Sequence, residues 1–470
     1  MTPRRADVWL ATGVALALRL AIVGWGHRLF PPSEDGHYYD VLARRLASGA
    51  GYTWLWPDGA VTYAAHYPVG YPAILAAAYL LFGASTVVAM TLNAVVGSAA
   101  AYGAYVLIDE PDVSRWRPFG AALAIALHPA LVPYTAAVMT EGVTSALLVV
   151  AAALACRART AVRPAGRLLA AGVTAALATL LRPESLLLAP ILGFFAVAPQ
   201  ASTAQRLARA GAVLAIVLLC VGPWTARNCL RMHRCALVSV NAGWNLLIGA
   251  TTTTGGWVPV TVPAPCATVW DEATKDACFE RSAWSEIARA PATWLARAPG
   301  KVAMTLDYFG AAPWYLHSSN PRAFDDHAKA ALAGFETLAC RLYLLGALVA
   351  CGRACGRFGA TRKLTALAGS FGALTVHGWM GYAAVVVCVG LRGWRCVLRG
   401  PPIFAYTAAA IVSTAFVHAV FFGAGRYGLI VAPFVAAAAF GDGRHSVGAS
   451  PGRKPNARAD GSGERVDVAL

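Results

Sequence analysis

The feature that most constrains this chain is the recurrence of apolar runs along almost its whole length. A run of about 20 apolar residues is long enough for a helix to cross the hydrocarbon core of a bilayer. The chain is 58% hydrophobic and 13% charged, whereas soluble domains carry roughly 25% charged residues. The pattern predicts an all-α, polytopic membrane protein with about 12–13 transmembrane helices.

The excess of positive charge is consistent with this class. The chain carries 39 Lys and Arg against 23 Asp and Glu, a net charge of +16. The arginines cluster in short loops between apolar runs, as in 157–167, which is typical of loops on the cytoplasmic side of a membrane. The sequence therefore predicts no nucleic-acid partner.

The apolar runs divide the chain into a membrane domain and a polar tail. Residues 1–440 form the transmembrane domain, and 441–470, rich in Gly, Ser and Arg, are predicted to be a disordered cytoplasmic tail. Two longer polar stretches, 31–68 and 227–333, are predicted to be extracytoplasmic. The sequence leaves the topology of 69–156 open, because one of its apolar segments must fail to cross.

The first of these loops begins with adjacent acids, Glu34 and Asp35. A carboxylate at a membrane face is costly and needs a reason. It could take a proton from an acceptor group, or hold a divalent cation (Mg or Mn) against a phosphate, with Asp35 as the ligand. It could instead cap the amphipathic helix that we expect to follow, whose apolar stripe is Tyr38, Leu42 and Leu46. A further membrane-edge acid is Glu141.

Several basic groups lie at predicted outer ends of spans, where arginine is less expected than on the cytoplasmic side. They are Arg182, Arg227 and Arg426, with His66 in the first loop. Cations meeting at one membrane face suit a phosphate at the headgroup boundary. The alternative is that each anchors a span end to lipid phosphates.

Two cysteines, Cys266 and Cys278, lie in the longest polar stretch. They can pair if that stretch faces an oxidising compartment. The sequence leaves open whether they do.

Six short phrases, in order over residues 8–440, resemble the multi-spanning GT-C glycosyltransferases. The similarity is to the family 39-like group, which includes protein O-mannosyltransferases and lipid A aminoarabinose transferases. The phrases are Glu34-Asp35-Gly36-His37-Tyr38-Tyr39, Tyr67-Pro68-Val69-Gly70-Tyr71-Pro72, Leu181-Arg182-Pro183-Glu184, Pro223-Trp224 through Arg227-Asn228, Asn241-Ala242-Gly243-Trp244-Asn245 and Gly425-Arg426-Tyr427.

The resemblance implies a GT-C-type fold and a glycosyltransferase of the cell envelope. The enzyme would move a sugar from a polyprenyl-phosphate donor to a lipid, glycan or protein acceptor at the outer face of the inner (plasma) membrane. It implies that Asp35, with Glu34 beside it, is the catalytic or metal-assisting acid. It also makes Arg182, Arg227 and Arg426 contacts of the donor phosphate. Many relatives have arginine where this chain has His66, which implies a weaker or pH-dependent contact there.

A different class remains as an alternative: a lipid-linked saccharide flippase or a small-molecule transporter. A transporter places charged residues along a path through its spans. Here most charges lie at span ends and in loops, which favours the transferase.

Overall fold

The computed structural model describes residues 3–110, 113–307, 310–353, 359–375 and 377–442. The predicted disordered tail, 441–470, lies almost entirely outside these residues. In the described part the chain is helical apart from one short hairpin, in which β1 (Thr53–Leu55) and β2 (Val61–Tyr63) pair antiparallel. The predicted all-α class is confirmed.

The helices up to the middle of the chain are α1 (Pro3–Gly26), α2 (Asp35–Ala47), α3 (Gly70–Phe82), α4 (Thr86–Ile108), α5 (Trp116–Ala126), α6 (Thr140–Ala158), α7 (Ala165–Leu181), α8 (Ala189–Phe195) and α9 (Thr203–Met232). Those that follow are α10 (Ala242–Thr251), α11 (Glu272–Arg289), α12 (Pro291–Ala296), α13 (Ala298–Leu306), α14 (Ala311–Ser319), α15 (Asp326–Gly352), α16 (Gly359–Ala373), α17 (Trp379–Gly390), α18 (Trp394–Arg399), α19 (Pro402–Val420) and α20 (Ala432–Ala438). Short 3-10 helices occupy Pro133–Ala136, Pro183–Leu188, Ala264–Cys266 and Gly425–Ile430.

Six described helices are long and apolar enough to cross a membrane: α1, α4, α6, α9, α15 and α19. Other apolar runs form shorter elements, among them α3, α7, α17 and the pair made by the 3-10 helix Pro183–Leu188 and α8. Proline in the first turn of α8 and of α20 favours the start of a new helix after a 3-10 turn. Several predicted spans are therefore broken rather than continuous.

The segment 69–156, whose topology the sequence leaves undecided, contains two short helices, α3 and α5, of 13 and 11 residues. At 1.5 Å per residue they are about 20 and 17 Å long, less than the roughly 30 Å of a hydrocarbon core. By length, neither helix crosses a bilayer alone.

The predicted amphipathic helix after the first span is α2. Its buried residues include Tyr39, Leu42 and Ala43, whereas Tyr38 is 45% exposed. The face of α2 that packs on the protein therefore includes Tyr39, whereas Tyr38, where the expected apolar stripe begins, lies outside that face. Successive helical residues are about 100° apart, so the choice of Tyr39 over Tyr38 rotates the buried face by that amount.

Small residues build the core of the helical bundle. Ala94, Ala101 and Ala104 of α4 and Ala151 and Ala152 of α6 have no exposed surface, and the two helices pack against each other. Small side chains let helix backbones approach closely where no water drives association. Glu141, one of the polar groups described below, lies in the first turn of α6.

Within 227–333, α10 packs on α11, and Cys266 forms a disulfide with Cys278. The sequence left that pair open. It gave no expectation of the second disulfide, Cys229–Cys235.

Helix α13 joins this segment to the end of α19. The buried Lys301 Nζ donates to the carbonyl oxygens of Ala419 and Val420, at 3.3 and 3.1 Å. The last carbonyls of a helix lack partners within the helix, so Lys301 caps α19. The backbone at Gly256 then bridges Gly423, two residues before the 3-10 helix Gly425–Ile430.

Replacing Lys301 by Met tests this cap. Burial, and then the neighbouring Arg297, lower the pKa of Lys301 to about 8. An unfolded lysine holds its proton to about pH 10.4, so the unfolded state binds the extra proton between these values. The contribution of Lys301 to stability therefore rises with pH from about 8 to about 10.4.

Thermal denaturation in detergent should show that the denaturation temperature of the wild type rises relative to that of Lys301→Met across that pH window. The exposed Lys363→Met is the matched control and should show no such change. Parallel profiles for wild type and Lys301→Met would contradict the burial of the amine that forms the cap.

Candidate functional site

Asp35, the first residue of α2, pairs with an arginine from the far end of the chain. Its Oδ2 lies 2.9 Å from Arg426 Nη2, and its Oδ1 accepts a hydrogen bond of 3.2 Å from Tyr67 Oη. Burial and the Asp35 carboxylate raise the pKa of Tyr67 above its ordinary value, so the phenol stays a donor. This arrangement holds both carboxylate oxygens of Asp35.

The pair continues inward through Glu141. Glu141 Oε1 lies 2.9 Å from Arg182 Nη1 and 3.5 Å from Arg426 Nε, and its Oε2 accepts from Tyr134 Oη at 2.8 Å. Three of the predicted polar groups and one predicted additional acid therefore meet. We call the four side chains Asp35, Arg426, Glu141 and Arg182 the ionic chain.

Glu184 binds the last member of the ionic chain, Arg182. Its Oε1 lies 2.6 Å from Arg182 Nε. Burial lowers the pKa of Arg182, but Glu184 and Glu141 outweigh it and hold that pKa above its ordinary value. Arg182 therefore remains charged.

The three acids share a local reason for their positions. Asp35 is the first residue of α2, Glu141 the second of α6, and Glu184 the second of the 3-10 helix Pro183–Leu188. Helix N-termini carry a partial positive charge and free N–H groups, which stabilise a carboxylate in the first turn. Three helix starts thus meet at one end of the bundle, with two arginines between them.

Exposure is lowest in the middle of the ionic chain. The side chains of Asp35 and Arg426 are 33% and 22% exposed, that of Glu141 only 1%, and those of Arg182 and Glu184 are 14% and 22%. Asp35 is therefore the most exposed of these side chains and the one that a ligand reaches first.

Tyr427 supports both guanidinium groups. The Cζ atoms of Arg182 and Arg426 lie 4.8 and 5.2 Å from the centre of its ring. A cation over an aromatic face is attracted to it. Burial lowers the pKa of Arg426, but the neighbouring Tyr427 and Asp35 outweigh it and hold the pKa above its ordinary value.

Tyr315 of α14 sets the distance between the segments that carry Asp35 and Glu141. Its Oη accepts N–H bonds from Ser33, at 3.3 Å, and from Val138, at 3.2 Å. These residues lie two positions before Asp35 and three before Glu141. A Cβ atom at Gly36 would lie 2.8 Å from the Val138 carbonyl oxygen. Glycine at 36 is therefore required for this close approach.

Glu34 lies beside the ionic chain rather than in it. Its Oε1 accepts a 2.6 Å hydrogen bond from Ser318 Oγ, and its φ of 52° is unusual for a residue other than glycine. Because the chain turns at Glu34, the side chains of Glu34 and Asp35 bind different partners. A catalytic role for Glu34 stays a prediction.

Arg227 and His66 also lie outside the ionic chain. Arg227 donates to the backbone oxygens of Ala64 and Tyr52, at 2.8 and 2.9 Å, and packs over Trp224. The backbone N–H of His66 donates to Glu272, 2.8 Å away. Both residues hold the end of the first loop in place, and their predicted phosphate contacts stay predictions.

The residues around Asp35 do not fit a protein-held divalent cation. Its carboxylate faces a guanidinium and a phenol, and among the described residues no three His, Cys, Asp or Glu side chains gather as ligands. Hard cations of this kind prefer several oxygen ligands. We therefore derive no step through a metal.

The sequence assigned no role to four supporting groups: Tyr67, Tyr134, Tyr315 and Tyr427. A tyrosine beside an apolar run is equally expected at a membrane interface. Tyr67, Tyr427 and Glu184 entered only as members of the phrases that carry the resemblance.

Three solved structures are similar over most of this chain. Two are of an archaeal oligosaccharyltransferase from Archaeoglobus fulgidus: one with an inhibitory peptide and a dolichol-phosphate (14% identity, TM-score 0.45, 93% of this chain and 50% of that chain), the other with Zn and sulfate (14%, 0.47, 92% and 48%). The third is ArnT from Cupriavidus metallidurans bound to undecaprenyl phosphate (14%, 0.38, 91% and 77%).

The chain thus spans about half the length of the oligosaccharyltransferase structures. No protein-family model and no curated protein matches the sequence. At TM-scores below 0.5 these likenesses carry no argument about activity, which must rest on the site.

Removing the hydroxyl oxygen of Tyr315 tests how the segments that carry Asp35 and Glu141 are held together. Tyr315→Phe leaves two backbone N–H groups without their acceptor, and a buried unsatisfied donor costs about 1–3 kcal/mol. We expect a lower denaturation temperature in detergent than for wild type. The matched control is Tyr382→Phe, an equally buried tyrosine of α17 (1% exposed) that makes none of these contacts. Equal effects of the two substitutions would contradict the role of the Tyr315 hydroxyl in holding Ser33 and Val138 together.

Proposed function

We propose that this protein is a glycosyltransferase of the inner membrane, with its site on the extracytoplasmic face. It moves a sugar from a polyprenyl-phosphate-linked donor to a lipid, glycan or protein acceptor. The observation that carries the proposal is the ionic chain, in which a reachable carboxylate is paired with an arginine at the edge of a helical bundle. The two disulfides in 227–333 support an oxidising compartment for that segment.

The arginines suit a phosphate ester. Among the described residues, Arg426 Nη1 and Arg182 Nη2 make no hydrogen bond. Glu141 holds the two guanidinium groups from the buried side, and Glu184 holds Arg182 as well, whereas Asp35 holds Arg426 from the open side. An arriving phosphate can therefore replace Asp35 as the partner of Arg426 without disturbing the buried pairs.

That exchange would release the carboxylate of Asp35. In the reaction, the acceptor's oxygen or nitrogen forms a bond to the anomeric carbon, and the bond from that carbon to the phosphate oxygen breaks. The electron pair leaves with the phosphate, which Arg426 stabilises, and the acceptor's proton passes to Asp35. Tyr67, which donates to Asp35, orients the carboxylate.

One observation favours a transporter or flippase: Arg19 is buried in the middle of α1. However, the cavity that it lines is about 20 Å³, which is room for about one water molecule. This is not a path for a saccharide, so the transferase is the better supported proposal.

The test is turnover by purified protein in nanodiscs with radiolabelled polyprenyl-phosphate sugars and a membrane-lipid or glycan extract as acceptor. Asp35→Asn should lose at least about a hundredfold in kcat, the lower range for a general base. Asp40→Asn is the matched control, because Asp40 lies on the same helix and bonds to Arg44 and Tyr79 instead.

The variant Glu34→Gln measures how much the neighbouring acid, Glu34, contributes to turnover. Unchanged turnover in a folded Asp35→Asn protein would remove Asp35 from the mechanism. Wild type that binds the donor without turnover in nanodiscs, and carries it unaltered across the membrane of proteoliposomes, would favour the transporter.

A further inference from the structure

We infer that the exposed ring of Tyr38 is a stacking subsite for a pyranose ring of a carbohydrate substrate. The inference rests on the proposed function and extends it by assigning a sugar-binding surface beside Asp35. Tyr38 belongs to α2 and is 45% exposed. Neither the ionic chain nor the bundle core uses it.

Tyr38 lies next to the reachable carboxylate. Residues three apart on a helix share a face, as Asp35 and Tyr38 do. Tyr67 connects them directly: its hydroxyl donates to Asp35 Oδ1, and its ring stacks on Tyr38 with centroids 5.2 Å apart and planes at 16°. A sugar resting on Tyr38 would therefore lie beside Asp35.

The exposed ring is held rigidly. Trp54 meets it edge-on at 5.9 Å, and His37 does so at 5.5 Å. The indole N–H of Trp54 donates to the Glu272 carboxylate, which also accepts the backbone N–H groups of Ala65 and His66. Fixing an aromatic side chain before a ligand arrives lowers the entropy cost of binding.

A flat, pre-positioned aromatic beside polar groups matches the chemistry of a pyranose. The face of an aromatic ring is negative, whereas the axial C–H groups that project from a face of a pyranose are slightly positive. The hydroxyls of such a sugar would face the exposed Glu34 and His37, which flank Asp35 and Tyr38 in sequence. A phosphate group is negative and would not be attracted to the negative face of an aromatic ring.

The sugar could belong to the donor or to a glycosylated acceptor, since both present the same ring chemistry. The experiment separates the two. It uses equilibrium binding to full-length protein in nanodiscs, so it needs no turnover. The donor probes are undecaprenyl phosphate, undecaprenyl-phosphate mannose and undecaprenyl-phosphate glucose, and the acceptor probe is purified lipopolysaccharide.

The variants are Tyr38→Leu, which removes the aromatic face, and Tyr38→Phe, which keeps it. The control is Tyr63→Leu, a tyrosine of β2 in the same loop that is 44% exposed and packs with Arg227 and Arg231 instead. We expect up to about tenfold weaker binding in Tyr38→Leu, which corresponds to about 1.4 kcal/mol. Tyr38→Phe and Tyr63→Leu should bind as wild type does.

Loss confined to the sugar-bearing undecaprenyl lipids would assign the subsite to the donor. Loss confined to lipopolysaccharide would assign it to the acceptor. Equal loss for undecaprenyl phosphate and its glycosylated forms would mean contact with the lipid, and would overturn the inference. So would an unaltered Tyr38→Leu, a Tyr38→Phe as weak as Tyr38→Leu, or a wild type that gains no affinity from any sugar. If the wild type binds the sugars through Tyr38 but transfers none, the transferase proposal fails while the subsite stands.

Discussion

The buried carboxylate of Glu141, held between Arg182 and Arg426, is the interaction on which the rest of the site depends. A charge with 1% exposure is tolerable only when cations and hydrogen-bond donors surround it. Removing either arginine would leave an uncompensated charge in the bundle. The pairing therefore ties the starts of α2 and α6, the end of α7 and the 3-10 helix Gly425–Ile430 to one another. These segments are far apart in sequence.

The two ends of the ionic chain serve different needs. At one end, Glu141 is closed off and pairs with Arg182, which also pairs with the partly exposed Glu184, and these pairs fix the positions of both guanidinium groups. At the outer end, Asp35 is a third exposed and shares Arg426 with any anion that arrives. The pairs of Glu141 and Arg182 are thus suited to stability, and the outer pair is suited to exchange.

The sequence revealed which residues are unusual, but not which of them meet. The bounds of α4 followed from its apolar run, and Asp35, Glu141, Arg182 and Arg426 could each be selected because charge beside a bilayer is costly. Arg227 satisfied the same criterion, yet it holds the backbone of the first loop. Pairing across more than a hundred residues is decided by helix packing, which a single sequence does not display.

The tyrosines show the same limit. Tyr315 follows a tryptophan in an apolar stretch, which is equally typical of an interfacial anchor, and only the structure brings its hydroxyl to Ser33 and Val138. The spacing of apolar residues placed Tyr38 in the apolar stripe of α2, whereas Tyr39 is the residue that is buried, where it packs against Tyr71. The exposed Tyr38 beside Asp35 is a consequence of the burial of Tyr39.

The most direct measurement is a cryo-electron microscopy structure of the protein in nanodiscs with undecaprenyl phosphate. The account predicts phosphate oxygens within hydrogen-bond distance of Arg426, with the Asp35 carboxylate released from the 2.9 Å contact that it makes without ligand. Glu141 and Arg182 should stay paired. Phosphate bound at Arg227 or elsewhere, with Asp35 and Arg426 still in contact, would contradict it.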